Sequence, residues 1–309
     1  MPSSASRRRT KWRYEDNEAT FAKRDRHIAR LASEDVHDST DGVIDGDRWS
    51  TWDQSSPTER GPLPHPDWLV TDLAATDTEL GVLKTGKEAD VFLLRRGVPG
   101  TDSSCLLAAK RYRSAEHRQF HRDSEYTSGR RVRESRVNRA MAARTAAGKA
   151  MIAEQWAIAE FAALCQLHSA GVPVPYPVQI LGTEILLEFI GDEDGSAAPR
   201  LAELRPTGPE LIDLWDQLAQ ALRGLAYLGL VHGDLSAYNL LVHDGRLVMI
   251  DLPQVIDVIA NPRGGEFLDR DVANVSHWFA ARGLAEVADS VSVHPDVLLA
   301  DLRYEARLD

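Results

Sequence analysis

The chain has no long apolar run and little cysteine or lysine among its 309 residues. No run approaches the roughly eighteen apolar residues that a membrane-spanning helix requires, so the sequence predicts none. The basic start, MPSSASRRRTK, has no apolar core behind it, unlike a secretory signal peptide. The two cysteines, Cys105 and Cys165, are too few to build a metal cluster alone. These absences favour a cytoplasmic protein.

Basic residues are also fewer than acidic ones, and the formal net charge is −11. That balance argues against a protein that coats nucleic acid with its whole surface. The exception is an Arg-rich segment at about 113–146, in which arginine recurs. This segment has two open interpretations: a solvated, flexible loop, or a docking site for an anionic partner.

The hydrophobic pattern divides the chain into three regions. Residues 1–70 mix basic, acidic and Pro-rich stretches with weak periodicity, which predicts a largely disordered N-terminal extension. Residues 71–190 begin with three short apolar runs separated by turn signals, typical of an antiparallel meander, and continue into a long helix and two more strands. Residues 191–309 are dominated by helical periodicity, with two helices expected after Asp251. The sequence therefore predicts an α+β fold with a strand-rich first lobe and a reduced helical second lobe.

The octet HGDLSAYN, which begins at His232, carries the strongest chemical signal. It fits the kinase catalytic loop H-R-D-x-x-x-x-N, with Gly233 in place of the arginine. In such a loop Asp234 would orient the proton of an attacking hydroxyl, and Asn239 would bind a metal ion through its amide oxygen. The plain alternative is a polar turn between a helix and a strand.

Asp251 directly follows the apolar run LVMI. A carboxylate placed just after a buried strand points into a cleft, which is where kinases hold magnesium. Leu252 and Pro253 follow in place of the Phe and Gly of the usual D-F-G motif, and the proline predicts a stiff segment. The alternative is an aspartate that only starts a turn at the strand end.

Lys110 ends the apolar run LLAAK, and a buried lysine without a partner is costly. Glu160 lies four residues after Trp156 and four before Leu164, so it shares the inward face of the predicted helix. The burial of both charges is explained if they pair, as the β3 lysine and αC glutamate of kinases do. The alternatives are a lysine that reaches solvent at the sheet edge and a solvated helix glutamate.

The turn TGKEAD lies between the first two apolar runs, where a kinase has its phosphate-binding loop. Thr85, Gly86 and Lys87 are therefore candidate nucleotide contacts. Gly81 to Lys87 also fits the Walker pattern G-x-x-x-x-G-K. We reject that match because Glu88 replaces the required Ser or Thr and a strand, not a helix, follows.

These segments together resemble the RIO family of atypical serine/threonine protein kinases. The matching stretches are TGKEADVF, AAKRYR, QWAIAEFAAL, GVPVPYP, LLEFIG, VHGDLSAYNLL and MIDLPQ. The resemblance covers about Thr78–Gly283 and looks closest to the branch without an N-terminal winged helix. It implies a bilobal protein-kinase-like fold, ATP as the phosphate donor, and Mg²⁺ or Mn²⁺ as the metal. The N-lobe would span 71–190 and the C-lobe 191–309.

The resemblance also implies residue roles. Lys110 would contact the phosphates, Asp234 would be the catalytic aspartate, and Asn239 and Asp251 would bind the metal. The aspartate matching Asp251 can itself take up phosphate in this family, which implies a role in catalysis and an ATPase-like cycle.

Two further features follow from the same resemblance. Glu188 and Ile190, in LLEFIG, match the hinge that binds adenine through backbone groups. The Arg-rich segment matches a flexible loop where autophosphorylation occurs, and it implies contact with the ribosome or RNA as one option. The protein substrate itself is not predicted.

Two other functions stay open. Aminoglycoside and choline kinases share the H-G-D-x-x-x-x-N pattern, but they usually build a large helical substrate site after the position of Asp251. A nucleotide-binding scaffold without turnover is the second, although no catalytic group is missing from this sequence.

Overall fold

The computed structural model describes residues 47–113, 146–253, 255–287 and 294–308. The first part of the N-terminal extension, 1–46, and most of the Arg-rich segment, 114–145, lie outside these ranges. The predictions for both segments therefore stay predictions.

A six-stranded antiparallel sheet is built from the first part of the described chain, with strand order β1-β2-β3-β4-β6-β5. Its strands are β1 (Asp47–Trp49), β2 (Thr76–Thr85), β3 (Ala89–Gly97), β4 (Ser104–Tyr112), β5 (Pro177–Leu181) and β6 (Glu184–Glu188). The three predicted apolar runs form β2, β3 and β4, which confirms the meander. Short connections join them, and neighbours in sequence are antiparallel neighbours in the sheet.

One helix lies between β4 and β5, and helices dominate the second part of the chain. They are α1 (Ala146–Ser169), α2 (Pro209–Tyr227), α3 (Gly264–Ala280), α4 (Leu284–Val287) and α5 (Pro295–Glu305). Pro209 and Pro295 stand at the first helical position, where a missing N–H costs no hydrogen bond. Three helices follow Asp251 among the described residues, where two were expected, because α4 is a single extra turn. No described helix has the length and apolarity needed to cross a bilayer.

Two small antiparallel pairs complete the helical part. β7 (Leu230–Val231) pairs with β10 (Ile256–Asp257), and β8 (Leu240–His243) pairs with β9 (Arg246–Met249). The segments that follow β7 and β9 are those predicted to carry the catalytic chemistry. The order of a strand-rich part and a helical part confirms the α+β class.

The core is divided in the same way. The largest cluster joins α2, α3 and α5 with the end of α1, and Trp215 packs edge-to-face on Phe279 with ring centroids 5.3 Å apart. A second cluster covers the outer face of the sheet, and a third joins its inner face to α1 through Ala157 and Phe161. Helix α1 therefore holds the inner face of the sheet in a fixed position.

The structure differs from the predicted disorder at residues 47–70. Trp52 and Leu69 are buried against the outer face of the sheet, and β1 pairs with β2. The Gly61 amide donates to the Val178 carbonyl over 2.9 Å. Single anchoring side chains and backbone bonds to the sheet hold this segment. It has no repeating apolar stripe, so its sequence shows no periodicity.

Candidate active site

A cleft of about 720 Å³ opens between the sheet and the helical part. The predicted site residues in its wall are Gly86, Lys87, Lys110, Glu160, Glu188, Ile190, Asp234 and Asp251. Thr85 and Asn239 are not among the residues that line the cleft. The structure thus brings together side chains that are up to 165 positions apart, from Gly86 to Asp251, while their chemical roles remain proposals.

Lys110 and Glu160 form the ion pair that the sequence predicts. Lys110 Nζ lies 2.7 Å from Glu160 Oε1, and both side chains are buried. Burial lowers the pKa of Lys110, but the carboxylates of Glu160 and Asp251 together outweigh it and raise that pKa above its ordinary value. The ammonium is therefore charged and is held on the cleft face of β4.

Glu160 also joins two further elements. Its Oε1 accepts a hydrogen bond from the Leu252 amide over 3.1 Å, and its Oε2 accepts a short one from the Tyr112 hydroxyl. Burial and the nearby Glu160 carboxylate raise the pKa of Tyr112, so the hydroxyl keeps its proton. Sequence reasoning missed Tyr112, although its place two residues after Lys110 on one strand puts it on the same face.

Asp251 lies at the meeting point of the sheet and the helical part. Its Oδ1 accepts from Lys110 Nζ over 3.0 Å, and its Oδ2 lies 3.5 Å from Lys84 Nζ. Burial alone would raise the pKa of Asp251, but Lys110 and Lys84 outweigh it and hold the value at about 2. Asp251 also has a φ of +65°, a region that few residues other than glycine adopt and that recurs at functional sites.

Helix α3 fixes the backbone on both sides of Asp234. Asp271, fully buried, accepts from the Gly233 amide over 2.6 Å and from the Leu235 amide over 3.0 Å. Burial raises the pKa of Asp271 in spite of these donors. The side chain of Asn274 donates to the Leu235 carbonyl over 3.2 Å. The carboxylate of Asp234 is thus presented to the cleft by a clamped loop.

Sequence reasoning also missed Asp271. A signal for it exists in the sequence, because Asp271 stands between Leu268 and Val275 on the buried stripe of α3. A carboxylate in an apolar stripe needs buried donors, and the two loop amides provide them.

Asn239 lies behind Asp234 and is tied to it. Its Nδ2 donates to the Asp234 carbonyl over 2.9 Å, which makes Oδ1 the amide atom suited to a metal ion. His232 links the same loop to the residue before Asp251, because its Nε2 lies 3.1 Å from the Ile250 carbonyl.

The donor set fits a nucleotide-bound metal better than a protein-only metal site. Among the described residues, no group of three or more His, Cys, Asp or Glu could hold an ion. Mg²⁺ is commonly bound by one or two protein oxygens, with substrate phosphates and waters as the other ligands. Asn239 and Asp251 offer an amide oxygen and an ionised carboxylate, which match that mode.

The turn between β2 and β3 is tight at its glycine. The Gly86 amide donates to the Ala89 carbonyl over 3.0 Å, and a Cβ at Gly86 would lie 2.7 Å from that same oxygen. At the base of the turn, Asp90 pairs with Thr85 in the sheet and forms a salt bridge with Arg113. The turn therefore has a fixed shape over the cleft.

The predicted hinge residues lie on the opposite wall. The Glu188 carboxylate accepts from the Tyr176 amide over 2.9 Å, and the Glu188 amide donates to the Tyr176 carbonyl over 2.8 Å. The Ile190 carbonyl accepts from the Ala198 amide over 3.0 Å. These bonds fix the segment that would meet an adenine ring.

Comparison with known proteins identifies relatives. A family model described as the RIO domain matches residues 100–291. The RIO-type serine/threonine-protein kinase Rio1 of Haloferax volcanii is 34% identical over 211 residues, 68% of this chain and 66% of that protein. The serine/threonine-protein kinase RIO1 of Chaetomium thermophilum is 32% identical over 223 residues, 69% of this chain and 41% of that protein. Human serine/threonine-protein kinase RIO3 is 36% identical over 136 residues, 44% and 26% of the two chains.

This chain thus spans between 26% and 66% of the length of these relatives. Among solved structures, the Rio2 kinase–ADP/Mg²⁺–phosphoaspartate complex from Chaetomium thermophilum has a TM-score of 0.47 and 20% identity. That match covers 75% of this chain and 66% of the other.

Proposed function

Because the RIO domain model matches more than half of its length, this chain belongs to the RIO family, and we propose that it is an ATP-dependent serine/threonine protein kinase. It would transfer the γ-phosphate of ATP to a hydroxyl group with the help of Mg²⁺ or Mn²⁺. The observation that carries the proposal is the continuous chain from Glu160 through Lys110 to Asp251, with contacts of 2.7 and 3.0 Å in the wall of the cleft.

Each residue has a physical task in this reaction. Lys110, kept charged and oriented by Glu160, binds phosphate oxygens, and Thr85, Gly86 and Lys87 cover the phosphates from above. Glu188 and Ile190 bind adenine through their backbone groups. These contacts position the nucleotide, which is the largest part of what a phosphotransferase must do.

The metal and the catalytic carboxylate act on the other side of the nucleotide. Asn239 and Asp251 would hold the metal, which neutralises charge on the phosphates when it is bound. Asp234 accepts a hydrogen bond from the substrate hydroxyl and takes its proton as the new oxygen–phosphorus bond forms and ADP leaves. The clamped backbone around Asp234 keeps this carboxylate aimed at the hydroxyl.

An ATPase cycle is the second activity we propose for this site. In that cycle an oxygen of Asp251 attacks the γ-phosphorus, ADP leaves, and water then hydrolyses the acyl phosphate. The ionised state of Asp251 supports its use as an acceptor.

The partners are proposed only as classes of molecule. We propose an unidentified protein substrate, with self-phosphorylation in the Arg-rich segment, where Ser124, Ser128 and Ser135 lie. Ribosome or RNA contact through the same segment is a proposal from the family resemblance, and a cytoplasmic location is a proposal from the composition of the sequence.

The test is a labelling assay on the full chain with γ-labelled ATP and Mg²⁺ or Mn²⁺. The wild type should label itself or release phosphate. Asp234→Ala should abolish protein labelling and leave ATP binding within about twofold, because Asp234 meets the hydroxyl rather than the nucleotide. Asp216→Ala, an exposed aspartate on α2 outside the cleft wall, is the matched control. Unchanged labelling in Asp234→Ala contradicts the assigned role.

A parallel panel of aminoglycosides and choline-like alcohols tests the small-molecule alternative. Strong transfer to one of these alcohols, with weak protein labelling, would replace the protein kinase proposal. ATP binding without any turnover would favour a scaffold.

A further inference from the structure

The cleft contains a lysine that the family motifs do not assign. Lys84, near the end of β2, lies in the cleft wall with its Nζ 3.5 Å from Asp251 Oδ2. In the part of the chain that the structure describes, Asp251 is the acid that Lys84 contacts. Its position needs an explanation, because strand alternation alone would not place it there.

A β-bulge turns Lys84 toward the cleft. Val82 is paired with Phe92, but Lys84 is paired with Val91, so Leu83 is an extra residue in β2. Regular pairing would instead set Lys84 opposite Asp90, whose side chain points to the other face. A one-residue shift reverses the face of every side chain that follows, and bulges next to active sites commonly re-aim a side chain in this way.

The bulge places Lys84 in line with Lys110. Val91, the partner of Lys84, is also the partner of Lys110 on β4. Residues directly opposite each other in an antiparallel sheet share one face. Lys84, Val91 and Lys110 therefore form a row across three strands, and all three lie in the cleft wall.

Each of the two ammonium groups lies next to a different carboxylate oxygen of Asp251. Lys110 meets Oδ1 at 3.0 Å and Lys84 approaches Oδ2 at 3.5 Å. Lys110 is buried and fixed by Glu160, whereas the side chain of Lys84 is 41% exposed. An ion pair this open and this long contributes little, so Lys84 can leave Asp251 at small cost.

We propose that Lys84 is an additional phosphate-binding residue, which neutralises Asp251 in the nucleotide-free protein and transfers to the phosphates when metal and nucleotide bind. This inference rests on the proposed nucleotide site. Asp251 would hold the divalent ion, whose charge would repel the Lys84 ammonium, while the phosphates of the nucleotide would supply anionic oxygens that attract it. The exchange keeps charge balanced in both states.

The same exchange makes Lys84 a competitor of free metal. Without nucleotide, Lys84 occupies the carboxylate oxygen that a metal ion needs, so the metal alone binds weakly. With nucleotide present, Lys84 moves to the phosphates and the competition ends. We therefore expect the metal ion to bind together with the nucleotide and not before it.

The test uses Lys84→Met, which keeps the length of the side chain and removes its charge. Calorimetric titration of the full-length variant should show MgATP binding about tenfold weaker than wild type, the effect of one charge-assisted hydrogen bond. Adenosine binding should be unchanged, because adenosine has no phosphate. Mn²⁺ alone, followed by its paramagnetic resonance signal, should bind severalfold more tightly to the variant.

Two control variants sharpen the result. Lys84→Arg keeps the charge and should retain MgATP affinity within about threefold. Arg95→Met removes an exposed cation from the same sheet outside the cleft wall and should leave MgATP binding unchanged.

The outcomes are separable. Equal MgATP affinity in Lys84→Met and wild type, or equal losses for MgATP and adenosine, would overturn the role of Lys84. A wild-type chain that binds no ATP would instead overturn the proposed kinase function itself.

Discussion

The clamp that α3 places on the catalytic loop gives the most specific prediction. Asp271→Asn keeps the shape of the side chain but replaces one carboxylate oxygen with an NH₂ group. One of the two loop amides, Gly233 or Leu235, then faces a donor instead of an acceptor. The loop should shift and move Asp234 away from its working position.

The magnitude follows from the number of bonds. A hydrogen bond to a charged group contributes about 1.5–3 kcal/mol, so one lost bond costs about 2 kcal/mol. At about 2–4 °C for each kcal/mol in a chain of this size, the Tm should fall by about 4–8 °C. A misplaced catalytic group typically costs up to about a hundredfold in rate, so kcat should fall between about tenfold and a hundredfold.

The assay separates rate from nucleotide binding. Lys110 lies on β4 and Glu188 ends β6, so the groups proposed to bind the phosphates and adenine are carried by the sheet and not by this loop. The KM for ATP should therefore stay within about twofold. Asp269→Asn is a matched control on the same helix, where the exposed carboxylate pairs with Arg303. The reasoning is refuted if Asp271→Asn and Asp269→Asn have the same kcat, or if the loss is entirely in KM.

Two further predictions concern the groups around Glu160 and Asp251. Tyr112→Phe removes the hydroxyl that binds Glu160, so kcat/KM for ATP should fall severalfold, while Tyr227→Phe on the exposed face of α2 should change nothing. Full activity in Tyr112→Phe would show that Lys110 and the Leu252 amide orient Glu160 without the hydroxyl. Because the pKa of Asp251 lies near 2 instead of 3.8, its charge stabilises the folded state above about pH 4, and this contribution is lost as pH falls toward 2. Urea unfolding should therefore show wild type more stable than Asp251→Asn at pH 7, with a smaller difference at pH 3; a constant difference would contradict this.

The sequence predicts the parts of the site that depend on local spacing. Helical spacing around Glu160 is enough to place it on the buried face of α1, and the end of an apolar strand places Lys110 opposite. In the structure these two side chains form an ion pair with a distance of 2.7 Å. The meander and α2 follow from their apolar periodicity in the same way.

The missed features depend on contacts between distant segments. The bulge at Leu83 is set by the pairing of β2 with β3, and an alternating apolar pattern does not reveal which residue is extra. Trp52 and Leu69 are separated anchors without a period, so the packed segment before β2 resembles a disordered one. Asp271 has a sequence signal, but its target amides lie 36 and 38 residues away.

The two carboxylates proposed to act in catalysis are attached to different parts of the fold. Asp234 is held from the helical part, through Asp271 on α3. Asp251 is held from the sheet, by Lys110 and Lys84. The distance between the carboxylates therefore depends on how the two parts are joined and on the hydrogen bonds that tie Ile250 to His232 and Asn239.

Leu252 is one such joint. Its side chain is buried in the helical core, while its amide donates to Glu160 beneath the sheet. Turning the segment after Asp251 outward would expose this side chain and leave its amide without its carboxylate partner. Both losses oppose that motion, and Pro253 further restricts the backbone. Leu252 therefore contributes more to the stiffness of this segment than Pro253 does. It connects the residue next to Asp251 to both parts of the fold.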